Sequence, residues 1–148
     1  MNLPLDFFPL APHVRWTGPR MGVFEAPFVF LSPTLGRIEI EAGFDTDYAS
    51  VPRALWWLYP PDGPYSPAAW IHDWLYWYQP CTRPQADLVF LEGMRVLPAV
   101  RATQRRVMFR SVRVGGGAAW ESNRRKRLGE PEPITPERQR RHFAKLRK

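Results

Sequence analysis

The run Ala68-Ala69-Trp70-Ile71-His72-Asp73-Trp74-Leu75-Tyr76-Trp77-Tyr78 constrains this chain more than any other stretch. Trp74 and Trp77 fall on adjacent faces of a helix, so a helix built here is buried nearly all round or covered by a partner. An imidazole and a carboxylate nevertheless sit inside it. A polar group buried without a partner costs roughly 2–7 kcal/mol. His72, Asp73 and Tyr76 must therefore satisfy one another within a structural network, hold a metal, or activate a water.

The flanking pattern places this run in an α+β fold. Pro4, Pro9, Pro12 and Pro19 forbid a long helix over residues 1–22. Residues 22–31 and 36–44 read as strands joined by the turn Ser32-Pro33-Thr34-Leu35-Gly36. Ile38 and Ile40 alternate with Glu39 and Glu41, the period of a half-buried strand. Ser50 caps a short helix over 51–58, and Tyr59-Pro60-Pro61-Asp62-Gly63-Pro64 is a loop. Ser66 as N-cap and Pro67 at the first position open a helix over 67–78. Further helices are expected over 84–97 and 99–114, the latter ended by Gly115-Gly116-Gly117. Residues 121–134 read as a polar linker, and Thr135-Pro136-Glu137 starts a last, basic helix. The expected architecture is a small N-terminal antiparallel sheet or hairpin packed on a bundle of about four helices, with a basic C-terminal tail. The expected division is a globular domain over 1–120 and a linker with tail helix over 121–148.

Charge and cysteine usage narrow the function classes. Ten Lys or Arg face four Glu within residues 121–148, which accounts for +6 of the net +7. The basicity belongs to the tail, which weakens a nucleic-acid reading based on overall charge. Nucleic acid stays a possible partner through residues 124–148, although Phe143 is the one aromatic that interleaves with the basic residues. The single cysteine, Cys81, excludes an intrachain disulfide framework and lacks metal-ligand spacing. No run approaches the ~18 apolar residues of a membrane span, and the N-terminus lacks signal-peptide character. Folding in a cytoplasm is the expectation. The glycine triplet does not follow a strand, so nucleotide binding is discounted.

The candidate site follows from helix geometry. His72 and Tyr76 are four residues apart and share a face, while Asp73 lies about 100° round the helix. The helices over 67–78 and 84–97 are joined by a short loop and should form an antiparallel hairpin. Asp87, near the start of the second, then reaches His72 or Tyr76. Asp47, just past a strand end, is the other carboxylate that can converge. Three readings stay open. The polar groups fix the packing of helices and strand; or Asp47, His72 and Asp73 ligate a divalent metal such as calcium or zinc; or His72, Asp87 and Tyr76 form a catalytic set with His72 as base. The tryptophans Trp56, Trp57, Trp70, Trp74 and Trp77 pack a core or line a ligand wall, and an exposed patch of them would mark a protein interface. Arg105, Arg106, Arg110 and Arg113 read as a solvated helix face.

Three segments together resemble a known family: Gly43-Phe44-Asp45-Thr46-Asp47-Tyr48-Ala49-Ser50-Val51-Pro52-Arg53, Ala69-Trp70-Ile71-His72-Asp73-Trp74-Leu75-Tyr76 and Ala86-Asp87-Leu88-Val89-Phe90. With Met108-Phe109-Arg110-Ser111-Val112-Arg113-Val114-Gly115-Gly116 they look like the phage- and prophage-encoded domain of unknown function 1353, over about residues 24–120. The resemblance implies a phage or prophage origin and no agreed activity. The His-Asp-x-x-Tyr helix is also similar to that of secretory phospholipases. That likeness implies His72 as base, Asp73 as calcium ligand, Asp87 or Asp47 as partner of the histidine, and Tyr76 as support. The chain departs from that pattern in lacking the cysteines and the glycine-rich calcium loop.

The leading expectation is a phage-derived structural or accessory protein. It would be made in the host cytoplasm and dock onto virion proteins of the tail or head–tail region through its aromatic surface and basic tail. The alternatives are a metal-dependent hydrolase of the host envelope and a basic DNA-contact or packaging protein.

Overall fold

Residues 3–18, 21–46 and 63–129 are described by the computed structural model. Asp47, the helix expected over 51–58, Trp56, Trp57, His142 and the tail helix from 135 lie outside the described residues. Among the described residues five strands are formed: β1 (Val14–Gly18), β2 (Met21–Phe24), β3 (Phe28–Ser32), β4 (Gly36–Ile40) and β5 (Asp45–Thr46). Three helices follow: α1 (Ser66–Tyr78), α2 (Arg83–Val96) and α3 (Ala102–Arg127). The α+β class holds, with three helices among the described residues.

The expected hairpin is β3–β4, with Phe28 opposite Ile40 and Ser32 opposite Gly36. Gly36 takes a φ of +75°, a left-handed turn conformation that favours glycine. Ile38 and Ile40 are buried while Glu39 is exposed, as the alternation requires. The expected strand over 22–31 is in fact two. Pro27 has no N–H to give a ladder, and the chain bends between Phe24 and Phe28. β2 therefore joins a separate antiparallel sheet of order β1-β2-β5. The second strand also ends early, at Ile40, and Gly43 turns the chain so that its N–H reaches the Phe24 carbonyl (2.7 Å).

The two sheets and α1 close around an aromatic core. Phe8, Phe24, Phe28 and Phe30 are buried, and the Trp70 ring meets Phe24 edge-on at 5.6 Å and Phe28 at 6.0 Å. Trp70 is thus a core residue. Glu92 of α2 ties the hairpin turn to the helices by accepting the hydroxyls of Ser32 (2.6 Å) and Thr34.

Helix ends follow local chemistry, with two corrections. Tyr65, not Ser66, occupies the N-cap of α1; the Ser66 hydroxyl instead donates to the Gly63 carbonyl (2.7 Å), closing the preceding turn. Thr82 caps α2 through a reciprocal box with Gln85. The larger correction concerns α3, which runs through Gly115-Gly116-Gly117 to Arg127. The expected linker from 121 is helical in its first part, and the boundary expected at 120 falls inside this helix. Each glycine weakens a helix by about 1 kcal/mol against alanine. Contacts on both sides of the triplet offset that cost. Before it, Arg113 bonds Asp87 (2.7 Å). After it, Trp120 meets the Tyr76 ring edge-on at 5.1 Å and accepts from Gln79 (2.7 Å) through its carbonyl.

Candidate functional site

α1 and α2 pack as the antiparallel hairpin that their short connection implies. At one end Gly93 lies so close to Ala68 that an added Cβ would sit 2.8 Å from the alanine methyl. At the other end Asp87 reaches His72 and Tyr76 together. Asp87 is fully buried and His72 is 1% exposed.

Asp87 acts as a four-donor hub. Its Oδ1 accepts from His72 Nε2 (2.9 Å) and from the Tyr76 hydroxyl (2.6 Å). Its Oδ2 accepts from Arg113 (2.7 Å) and Arg83 (3.3 Å). A carboxylate offers about four lone-pair positions, so the group is saturated. Because the carboxylate only accepts, His72 carries its proton on Nε2 in this bond. Burial pushes the Asp87 carboxyl up, but donation from His72, Tyr76 and Arg113 outweighs it and holds the group below its usual range. Burial, then the bond to this carboxylate, raises the Tyr76 phenol and keeps it protonated. Arg83 also donates to the carbonyls of Val112 (3.3 Å) and Arg113 (3.1 Å), so the hub binds all three helices.

Asp73 turns away from this hub. It is 8% exposed and accepts from the Thr46 hydroxyl of β5 (2.7 Å). The adjacent His72 and Asp73 therefore serve different contacts, one within the helical layer and one between helix and sheet. Among the described residues, no three His, Cys, Asp or Glu side chains are grouped to hold a metal. The His13 position is exposed, and burial first of all raises the Cys81 thiol, which suits an unreactive loop cysteine.

Beside Asp73 opens a cleft of about 520 Å³ between the β4–β5 turn and the C-terminal ends of α1 and α3. Glu41, Phe44, Asp45, Asp73, Trp77 and Lys126 contribute to its wall. His72 is not among its described lining residues. Glu41 accepts from Trp74 Nε1 (2.7 Å) and from the Tyr78 hydroxyl. Burial raises its carboxyl, and these two donors with the residue's own backbone N–H more than reverse that, leaving it below its usual value.

Three further participants join the site: Thr46, Arg83 and Arg113. Thr46 stands among the quoted motif residues, yet nothing local says that its hydroxyl faces Asp73. Arg83 precedes Asp87 by four residues, a helix pair visible in the sequence. Arg113 was expected on a solvated face, but it is half-buried and bonds Asp87. Its position beside Val112, on the buried stripe Met108, Val112 and Gly116, is the signal that marks it.

The family model described as "Protein of unknown function (DUF1353)" matches residues 23–112, more than half of the chain. The chain belongs to that family. The DUF1353 match takes in His72, Asp73, Tyr76, Arg83 and Asp87, and it stops one residue before Arg113. No curated protein and no solved structure matches this DUF1353 chain.

Proposed function

We propose that this DUF1353 protein is a phage- or prophage-derived structural accessory protein that docks onto other virion proteins of the tail or head–tail region. The observation that carries the reading is the saturation of Asp87. The centre of the cluster that most resembles an active site is buried, with His72, Tyr76 and Asp87 at most 1% exposed; its carboxylate has no free position, and with the partly exposed Arg83 and Arg113 it joins three helices. Such a network suits a rigid scaffold better than a centre that must admit substrate. The basic run 124–127 is also partly used within the fold: Arg124 and Arg125 pair with Glu121, and Arg127 donates to the Tyr78 carbonyl. That pairing weighs against a DNA-contact role for this stretch. The test is to purify particles from cells producing the phage or induced prophage that encodes the chain, and to quantify it by mass spectrometry. A fixed copy number per particle, kept in the His72→Asn variant, is expected. Absence from particles refutes the proposal.

One observation favours the hydrolase as a second reading. Asp87 holds His72 through Nε2, which leaves Nδ1 as the nitrogen not engaged by the carboxylate, and Tyr76 supports the same oxygen. His72 would then be the base, with Asp73 at the cleft wall, beside Glu41 and Asp45, as the carboxylate that would meet a divalent cation. Hydrolysis of phospholipid vesicles or cell-wall fragments, stimulated by calcium or zinc and abolished by His72→Asn, would favour this reading over the first.

A further inference from the structure

We propose that the cleft between the β4–β5 turn and the ends of α1 and α3 binds an organic cation, a guanidinium or alkylammonium group. The inference stands apart from the virion reading and needs no catalysis. A volume of about 520 Å³ lies within the range of small-ligand sites and would admit one charged head with its stem.

The wall chemistry selects the sign of the ligand. Among the described residues, Glu41, Asp45 and Asp73 place three carboxylates around the cleft against one lysine, Lys126, in a chain whose net charge is +7. An anion meets repulsion there, and an uncharged apolar ligand would strip water from the carboxylates without repaying it. The Glu41 carboxylate accepts from Tyr78 and Trp74 and from its own backbone N–H, which leaves about one of its roughly four lone-pair positions for a ligand N–H. Those donors also fix the carboxylate in place, so little side-chain freedom is lost on binding.

Aromatic rings supply the second half of the recognition. Phe44, Trp77 and Tyr78 line the same cleft, with the Phe44 and Tyr78 ring centroids 6.2 Å apart and tilted by 36°. Ring faces beside carboxylates attract a weakly hydrated cation more than a compact metal ion, because the ring quadrupole and the formal charge act together.

One chemistry has two sources, a free small molecule or an Arg or Lys side chain of a polypeptide, and titration separates them. The full-length protein is titrated with tetramethylammonium, arginine ethyl ester and the peptide acetyl-Gly-Arg-Gly-amide, with acetate as the anion control. Binding is followed by tryptophan fluorescence and calorimetry. Saturable binding of at least one cation, weakened tenfold or more in Asp45→Asn and in Glu41→Gln, is expected. Asp45 is exposed, so its variant tests the site even if Glu41→Gln, which disturbs Trp74 and Tyr78, fails to fold. Peptide binding tenfold tighter than the ester assigns the cation to a polypeptide side chain; equal or weaker peptide binding assigns it to a small molecule. No saturable cation binding at millimolar concentration, or binding unchanged in Asp45→Asn, overturns the proposal.

Discussion

Replacing Asp87 with alanine removes one acceptor from four donors at once. His72 and Tyr76 lose their shared oxygen, and the Arg83 and Arg113 guanidiniums lose the buried charge that they neutralise. Arg83 and Arg113 side chains are 25% and 35% exposed, so water recovers part of their loss; His72 and Tyr76 have no such recourse. Breaking a buried ion pair costs about 3–5 kcal/mol. In a protein of this size each kcal/mol shifts Tm by roughly 2–4 °C, so Asp87→Ala should melt roughly 6–20 °C below the wild type at pH 7. Circular dichroism melting of both proteins measures it. The pH dependence supplies an independent check. The folded carboxyl titrates below its ordinary value of 3.8, so its stabilisation is fully present above that value and is lost as pH falls toward the folded pKa. The gap in Tm between wild type and Asp87→Asn, which has no group to titrate here, should therefore narrow below about pH 4. A loss under about 4 °C for Asp87→Ala, near 1 kcal/mol, would refute the hub as the joint of the three helices.

Two neighbouring glycines should respond in opposite directions. A Cβ at Gly116 would lie 2.3 Å from the Tyr76 hydroxyl, whereas one at Gly117 meets nothing within 4 Å. Chemical denaturation should show Gly116→Ala destabilised by about 1–3 kcal/mol through overpacking, and Gly117→Ala stabilised by up to about 1 kcal/mol through helix propensity. Thr46→Val leaves Asp73 without the hydroxyl that joins α1 to β5. It should cost about 1–3 kcal/mol in a urea titration, and an unchanged midpoint would remove the helix–sheet role of this bond.

How much of this molecule was legible in advance depends on the range of each interaction. The β3–β4 hairpin could be read from the alternation of Ile38, Glu39 and Ile40 and from a turn ending in glycine. The helical hairpin could be read from Pro67, the break at residues 80–84, and the spacing of His72, Tyr76 and Asp87. These features rest on backbone periods and on neighbours within a few residues, which a sequence carries by itself.

What the chain determined alone, then, is that His72, Tyr76 and Asp87 belong on facing helices and need partners. Tertiary structure decided who the partners are. Local propensity would stop α3 at three successive glycines, yet Arg113 before them and Trp120 after them are anchored to α1 and α2, so the helix continues. The same packing turns Asp73 toward Thr46 and away from His72, because side chains one position apart on a helix diverge by about 100°. Which facing element meets each of them is a property of the assembled layers, since the donors from Thr46, Arg83 and Arg113 come from different elements that only folding brings together.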